Sequence, residues 1–278
     1  MSEPPAIPVA ASGRSALEVA RACAQEAGEL ARARFRQPHE VTTKGRGNLV
    51  TETDFEIERL IKRALAQEFP DHRLLSEATA TETDSAGWVW VADPIDGTRN
   101  FVSGIPFFCI NLALCYDGET VVAVTHDPNH DETFWAERGR GAWVNDQPIR
   151  ASDTPTVAAS VLGIDLGYND DNGRATLRFL QQLFPGIQCI RIPGSAALGL
   201  AYAACGRYDL FLHRYLFPWD VVSGLLLVKE AGGTITSLDG GSATLRSPSV
   251  IAGSPQAHAD LLRWLDEHRA ELDPADGD

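Results

Sequence analysis

Basic residues are scarce in this chain. Its 278 residues carry 24 Lys and Arg against 38 Asp and Glu, a formal net charge of −14. Such a surface repels nucleic acid and anionic membranes at long range, so neither is expected as a partner. Long apolar runs are missing as well: no stretch approaches the roughly 18 residues that a membrane span needs. The opening "MSEPPAIPVAASGRSA" lacks a basic segment followed by an apolar one, so no signal peptide is expected. The five cysteines, Cys23, Cys109, Cys115, Cys189 and Cys205, form no CxxC pair. Their odd number and scattered spacing exclude a disulfide framework and a zinc site, leaving free thiols in a reducing cytoplasm. Internal repeats and low-complexity blocks are also absent.

What is present reads as an ordinary globular chain, 44% hydrophobic and 22% charged. Residues 1–12, rich in Pro and Ala, and the tail 272–278 are expected to be disordered. Leu17, Ala20, Ala24, Ala27 and Ala31 recur at helical spacing between about 15 and 36, and Ile57, Leu60, Ile61, Ala64 and Leu65 form a second stripe ended by Pro70. "RLLSEA" is a strand candidate followed by a polar loop rich in Thr and Glu. "WVWVA" is apolar at every position, the mark of a strand covered on both faces. "FFCINLALCY" and "TVVAVTHDP" flank a "DGE" turn as a hairpin, and "ETFWAERG" and "GAWVN" continue as strands. An N-terminal half of about 15–150 is followed by a C-terminal half of about 155–270. The latter offers strands at "SVLGIDL", "IQCIRI", "YDLFLH", "TITSL" and "SVIAGS". Its helices are expected at 173–183, "GSAALGLAYAACG", "WDVVSGLLLVKEAGG" and 255–269. The expected fold is α+β, with layered helices and mixed sheets in one domain spanning 15–270.

One stretch carries chemistry. "DPIDGTRNF", residues 93–101, follows directly on the apolar strand. Pro94 pushes Asp93 into extended backbone, Gly97 permits a sharp turn, and Thr98 to Phe101 can open a short helix. A helix start offers free N–H groups to an anion. Carboxylates beside such a turn make sense when divalent cations sit between them and a phosphate. A plain Asp-Gly turn is the competing reading. Taken singly, Asp54 and Asp220 are acids in the first turn of a helix, where acids commonly serve only the helix dipole.

"DPIDGTRNF" resembles the metal-binding signature of the inositol monophosphatase family of Mg²⁺-dependent, lithium-sensitive phosphatases. "SEA" at 76–78, "PWDVVSGLLLVKEAGG" at 218–233 and "LVTETD" at 49–54 resemble that family's companion blocks, in the right order. The resemblance covers about 15–265 and implies an α-β-α-β-α sandwich that is a homodimer. It implies a first Mg²⁺ held by Glu77, Asp93 and the carbonyl of Ile95, and a second held by Asp93, Asp96 and Asp220. A third ion is optional and is put in question by Ala78, where the family often has an acid. Thr98 and Asp54 would orient and deprotonate the attacking water, with Glu77 assisting, while the amides of Asp96, Gly97 and Thr98 hold the phosphate.

Gly194, Ser195 and Ala196 would lie along the substrate's alcohol portion together with His213 and Asp220, although Ser195 reads equally well as a helix N-cap. Where many inositol phosphatases carry a glutamate, this chain has His213 followed by Arg214. That departure removes a negative charge and is expected to rank histidinol phosphate below neutral polyol phosphates. The reaction class implied is hydrolysis of a small polyol or sugar phosphate by in-line attack of water, with inositol monophosphate the default substrate. Fructose 1,6-bisphosphate, adenosine 3′,5′-bisphosphate, NADP and histidinol phosphate are alternatives. A regulatory protein that keeps the fold without turnover is the competitor from another class.

Overall fold

The computed structural model describes residues 5–45, 48–78 and 86–268. The expected disordered tail at 272–278 and the polar Thr/Glu-rich loop lie largely outside the described residues. Chain order begins with α1 (Ala16–Arg34), β1 (Val41–Gly45), β2 (Asn48–Thr51) and α2 (Glu52–Glu68). Next come β3 (Arg73–Ser76), β4 (Trp88–Asp96), α3 (Thr98–Val102), β5 (Cys109–Tyr116) and β6 (Glu119–Asp127). The first half closes with β7 (Glu132–Glu137), β8 (Ala142–Val144) and β9 (Gln147–Pro148). The second half holds β10 (Val161–Ile164), α4 (Asp170–Leu183), β11 (Cys189–Arg191), α5 (Ala196–Ala204) and β12 (Leu210–His213). It ends with α6 (Pro218–Glu230), β13 (Thr234–Thr236), β14 (Val250–Gly253) and α7 (Pro255–Glu267).

Strands β3 to β9 form a seven-stranded sheet in sequential order, parallel only between β3 and β4. The second sheet runs β11-β10-β12-β14-β13 and is mixed, with β10 parallel to both β11 and β12. Side chains alternate across the large sheet, as the period of a strand requires. Trp90, Ala92, Leu112, Leu114 and Val124 face α1 and α2. Val89, Val91, Ala113 and Ala123 face α5 and α6, whose other side meets Phe211, Val250 and Ala252 of the small sheet. The far side of the small sheet packs α4 and α7 through Ile164, Phe179, Leu212 and Leu261. Five layers, α-β-α-β-α, result, as expected. Among the described residues no helix is long and apolar enough to cross a membrane.

Two features differ from the sequence expectation. Residues 5–12 are not loose: Ala10 is 6% exposed in the core against α1 and α2. Its neighbour Ala11 donates its N–H to the carbonyl of Glu68 at 2.8 Å. Pro/Ala composition suggests disorder, but a single small apolar side chain with satisfied backbone suffices to dock the segment. The hairpin of β1 and β2 was also unexpected, because "VTTKG" and "NLVT" show no clean alternation of apolar and polar residues.

The middle layer is tight. A Cβ added at Gly224 of α6 would stand 2.7 Å from Cβ of Leu200 in α5. These two helices carry the residues that reach the site, so their spacing sets its geometry. Gly224→Ala is expected to cost about 1–3 kcal/mol through overpacking, outweighing the gain in helix propensity. A fall in the denaturant midpoint at unchanged m-value checks this; a rise would show that the helices separate freely.

Candidate metal and phosphate site

The strand β4 does not stop at Ala92. It continues through "DPID" to Asp96, with a register shift that pairs Asp93 with Asn111 and Asp96 with Cys109. Two residues of β4 between these pairs face one of β5, so the strand bulges. Bulges re-aim side chains next to functional sites, and they are among the few sheet positions that tolerate proline. Pro94 sits in this bulge. Gly97 then turns the chain at φ +96°, with a hypothetical Cβ 3.1 Å from the carbonyl of Phe107, so both conformation and space demand glycine. The residue caps α3 as expected.

Asp93, Asp96 and Asp220 each place a carboxylate oxygen within 4.8 Å of the others. Asp93 accepts from the N–H of Ile95 at 3.1 Å. Asp96 accepts from Ser195 Oγ, from the N–H of Ala197 at 2.8 Å and from that of Ala196 at 3.3 Å. Cys109 Sγ lies 3.7 Å from Asp96 Oδ2. Asp220, at the start of α6 behind Pro218, accepts from the N–H of Phe217 at 2.8 Å. Among the described residues the donors to this trio are backbone amides, one hydroxyl and one thiol, with no Lys or Arg.

Charge repulsion follows. Burial, then the fields of Glu77, Asp96, Asp220 and Asp54, hold the Asp93 carboxyl well above the usual carboxylate range. Burial and then Asp96 do the same for Asp220. Asp96 is raised by burial and partly brought back by the hydrogen bonds from Ser195, Ala197 and Ala196. The chemistry of this donor set fits a hard divalent cation such as Mg²⁺, which takes carboxylate and carbonyl oxygens.

The remaining expected residues fall around this trio. Glu77 directly follows β3 and is half-buried, with its N–H on the carbonyl of Ala92 at 3.2 Å. Asp54 is buried in the first turn of α2, where Oδ2 accepts the N–H and Oγ1 of Thr51 at 2.8 and 2.6 Å. It therefore caps its helix and also contributes to the field at Asp93. Thr98 Oγ1 donates to the carbonyl of Ile95 at 2.9 Å, the carbonyl expected to ligate metal. Ser195 is 1% exposed; its hydroxyl caps α5 and braces Asp96, which accounts for the N-cap reading. Ala196 turns its N–H to Asp96 but lines, with Gly194, Asp220 and His213, a cavity of about 260 Å³.

Arg214, just past the end of β12, points away from the cavity, its guanidinium 5.9 Å over the ring of Phe179. Asp165 lines the cavity with His213, so an acidic side chain stands on the same wall. Tyr168 and Arg99 line it too, with the Arg99 guanidinium 4.4 Å over the Tyr168 ring. None of these three was singled out from sequence. No signal in the sequence marks Asp165, because the parallel pairing of β10 with β12 that places it joins segments distant in the chain.

A layered α/β sandwich whose helix starts and strand bulge converge buried carboxylates on one cavity is the frame of a phosphoric monoester hydrolase. The profile of the Inositol monophosphatase family matches residues 14–270. The chain is 39% identical over 256 residues to "Inositol monophosphatase 1" of Solanum lycopersicum, covering 90% of this chain and 94% of that one. It is 37% identical over 225 residues to "Fructose-1,6-bisphosphatase/inositol-1-monophosphatase" of Thermotoga maritima, covering 81% and 85%. The solved structure of a Thermotoga maritima IMPase superposes with a TM-score of 0.84 at 33% identity, covering 92% and 98%. The chain belongs to the inositol monophosphatase family.

The raised carboxyls make a stability prediction. Each binds more protons folded than unfolded between its unfolded and folded pKa, so stability without metal falls as pH rises through that window. In EDTA the thermal midpoint should therefore decline from about pH 4 upward through the range of these carboxyls. Mg²⁺, which binds the ionised site, should raise it more at pH 8 than at pH 5. Calorimetry at matched ionic strength checks both. A Mg²⁺ effect independent of pH would contradict the arrangement.

Proposed function

We propose that the protein is a Mg²⁺-dependent phosphomonoesterase acting on a small polyol or sugar phosphate, with inositol monophosphate the leading substrate. The observation that carries this reading is the trio of carboxylate oxygens within 4.8 Å, without Lys or Arg donors among the described residues, two of which, Asp96 and Asp220, line a 260 Å³ cavity. Asp93, Asp96 and Asp220, with Glu77 and the carbonyl of Ile95, would hold two metal ions. When bound, Mg²⁺ supplies positive charge that offsets the phosphate and the charge developing on the leaving oxygen.

The chain's own residues do the rest. Thr98 uses its hydroxyl hydrogen on Ile95, which leaves its lone pairs to accept from a water and aim it in line with the phosphorus. Asp54, its carboxylate fixed by Thr51, takes that water's proton. The water oxygen–phosphorus bond forms as the phosphorus–alcohol bond breaks, and the leaving oxygen takes a proton from solvent. The amides that open α3 at Gly97 and Thr98 have no helical partner by position and suit phosphate oxygens. Five free thiols agree with a reducing compartment, and the same reading takes the enzyme as a cytoplasmic homodimer. Arg99, stacked on Tyr168 in the cavity, favours a second reading in which a further anionic group is present, as in a sugar bisphosphate.

Phosphate release from inositol 1-phosphate, with and without Mg²⁺, tests the reading. Asp93→Asn is expected to lower kcat by roughly 100-fold or more by removing a ligand shared by both metals. Because the substitution also removes a repelled buried charge, the metal-free variant should melt no lower than the parent. Near-normal turnover of Asp93→Asn at saturating Mg²⁺ would remove the two-metal assignment.

A further inference from the structure

The cavity's far wall is built by two parallel neighbours. In the pairing of β10 with β12, Gly163 stands opposite Phe211 and Ile164 opposite Leu212. Asp165 directly follows Ile164 at the end of β10, and His213 directly follows Leu212 in β12. Both residues line the cavity that also holds Asp96 and Asp220.

Their hydrogen-bonding capacities are complementary. His213 Nδ1 accepts the N–H of Tyr215 at 3.1 Å, so that nitrogen carries no proton. A neutral ring must then carry its proton on Nε2, which makes His213 a donor. Burial pushes the ring's pKa down, partly opposed by the field of Asp165. Asp165 Oδ1 accepts the N–H of Leu166 at 2.8 Å, leaving Oδ2 without a protein donor among the described residues. An ionised carboxylate has acceptors only. The wall therefore shows one donor and one acceptor side by side, a pattern matched by adjacent hydroxyl groups, each of which both donates and accepts.

We propose that Asp165 is the specificity-determining residue of this pocket. Its carboxylate accepts from one hydroxyl of the substrate's alcohol portion while His213 Nε2–H donates to the next hydroxyl oxygen. The ligand class is a phosphate ester of a polyhydroxylated ring, a cyclitol or sugar, rather than of a plain alkyl or aryl alcohol. The assignment rests on the phosphatase reading above. It also places, on a different strand, the acidic acceptor that position 213 does not provide.

The experiment compares kcat/KM for inositol 1-phosphate with that for p-nitrophenyl phosphate, whose alcohol has no further hydroxyl, in the full-length parent and in Asp165→Ala. A charged hydrogen bond lost to one substrate alone should lower the inositol-to-nitrophenyl ratio about tenfold or more, largely through KM. Asp165→Asn, which keeps an acceptor but no charge, should fall between. It also serves as the comparison should Asp165→Ala fail to fold by thermal melt. A ratio within about twofold of the parent's, whether both activities fall together or neither changes, would overturn the role of Asp165. Absence of phosphate release from both esters by the parent would overturn the phosphatase reading and this assignment with it, an outcome separable from an unchanged ratio.

Discussion

Crowding of buried carboxylates is the constraint around which this molecule is arranged. At 4 Å, two like charges at an effective dielectric of 20 repel by about 4 kcal/mol, and Asp93, Asp96 and Asp220 lie within 4.8 Å of one another. No basic side chain among the described residues answers them. The fold answers with helix starts instead. The N-terminus of α5 gives two amides and the Ser195 hydroxyl to Asp96, the start of α6 gives one amide to Asp220, and the start of α2 holds Asp54 through Thr51. Each helix brings the positive end of its dipole to a carboxylate. These donors orient the carboxylates without neutralising them, since Asp93, Asp96 and Asp220 stay raised. Uncompensated charge of this kind is suited to a hard divalent cation.

The same contacts join the two halves. Asp96 belongs to the first sheet, while Ser195, Ala196 and Ala197 open a helix of the second half about a hundred residues later. Asn100, in the helix that follows the bulge, donates to the carbonyls of Phe107 at 2.7 Å and Pro193 at 2.8 Å. Asn111, the β5 partner of Asp93, donates to the carbonyl of Trp219 beside Asp220. The junction and the site are therefore one hydrogen-bonded network.

Much of this was legible in the sequence where one residue type at one spacing has one physical use. "WVWVA" reads as a doubly covered strand, and two carboxylates three residues apart just ahead of Gly97 pointed to more than a plain Asp-Gly turn. Asp54 and Asp220 were ambiguous for a sound reason: a helix cap and a site carboxylate both want an acid in the first turn, and the structure uses Asp54 as a cap while setting it in the field of Asp93. Ser195 had two readings from the same cause, and the short-range use won its hydroxyl. The bulge at Pro94 was hidden because proline normally signals a strand's end, and only pairing with β5 shows that the ladder resumes at Asp96.

Asp165 was hidden for a different reason. Nothing within "SVLGIDLGY" distinguishes its aspartate from any acid that leaves a strand for solvent. Its meaning comes from β10 lying parallel to β12, a pairing between segments about fifty residues apart, which sets it next to His213 on the cavity wall. Read alone, His213 was a lost glutamate and Arg214 an added positive charge. Arg214 lies just past β12 with its guanidinium over Phe179, while Asp165, at the end of β10, lines the cavity with His213. A one-dimensional comparison at position 213 therefore misses the carboxylate on the same cavity wall. The carboxylates on the bulge and helix starts stay readable because they sit in local sequence motifs. The cavity wall of Asp165 and His213 is assembled from strand ends, so it becomes visible only once the sheet is paired.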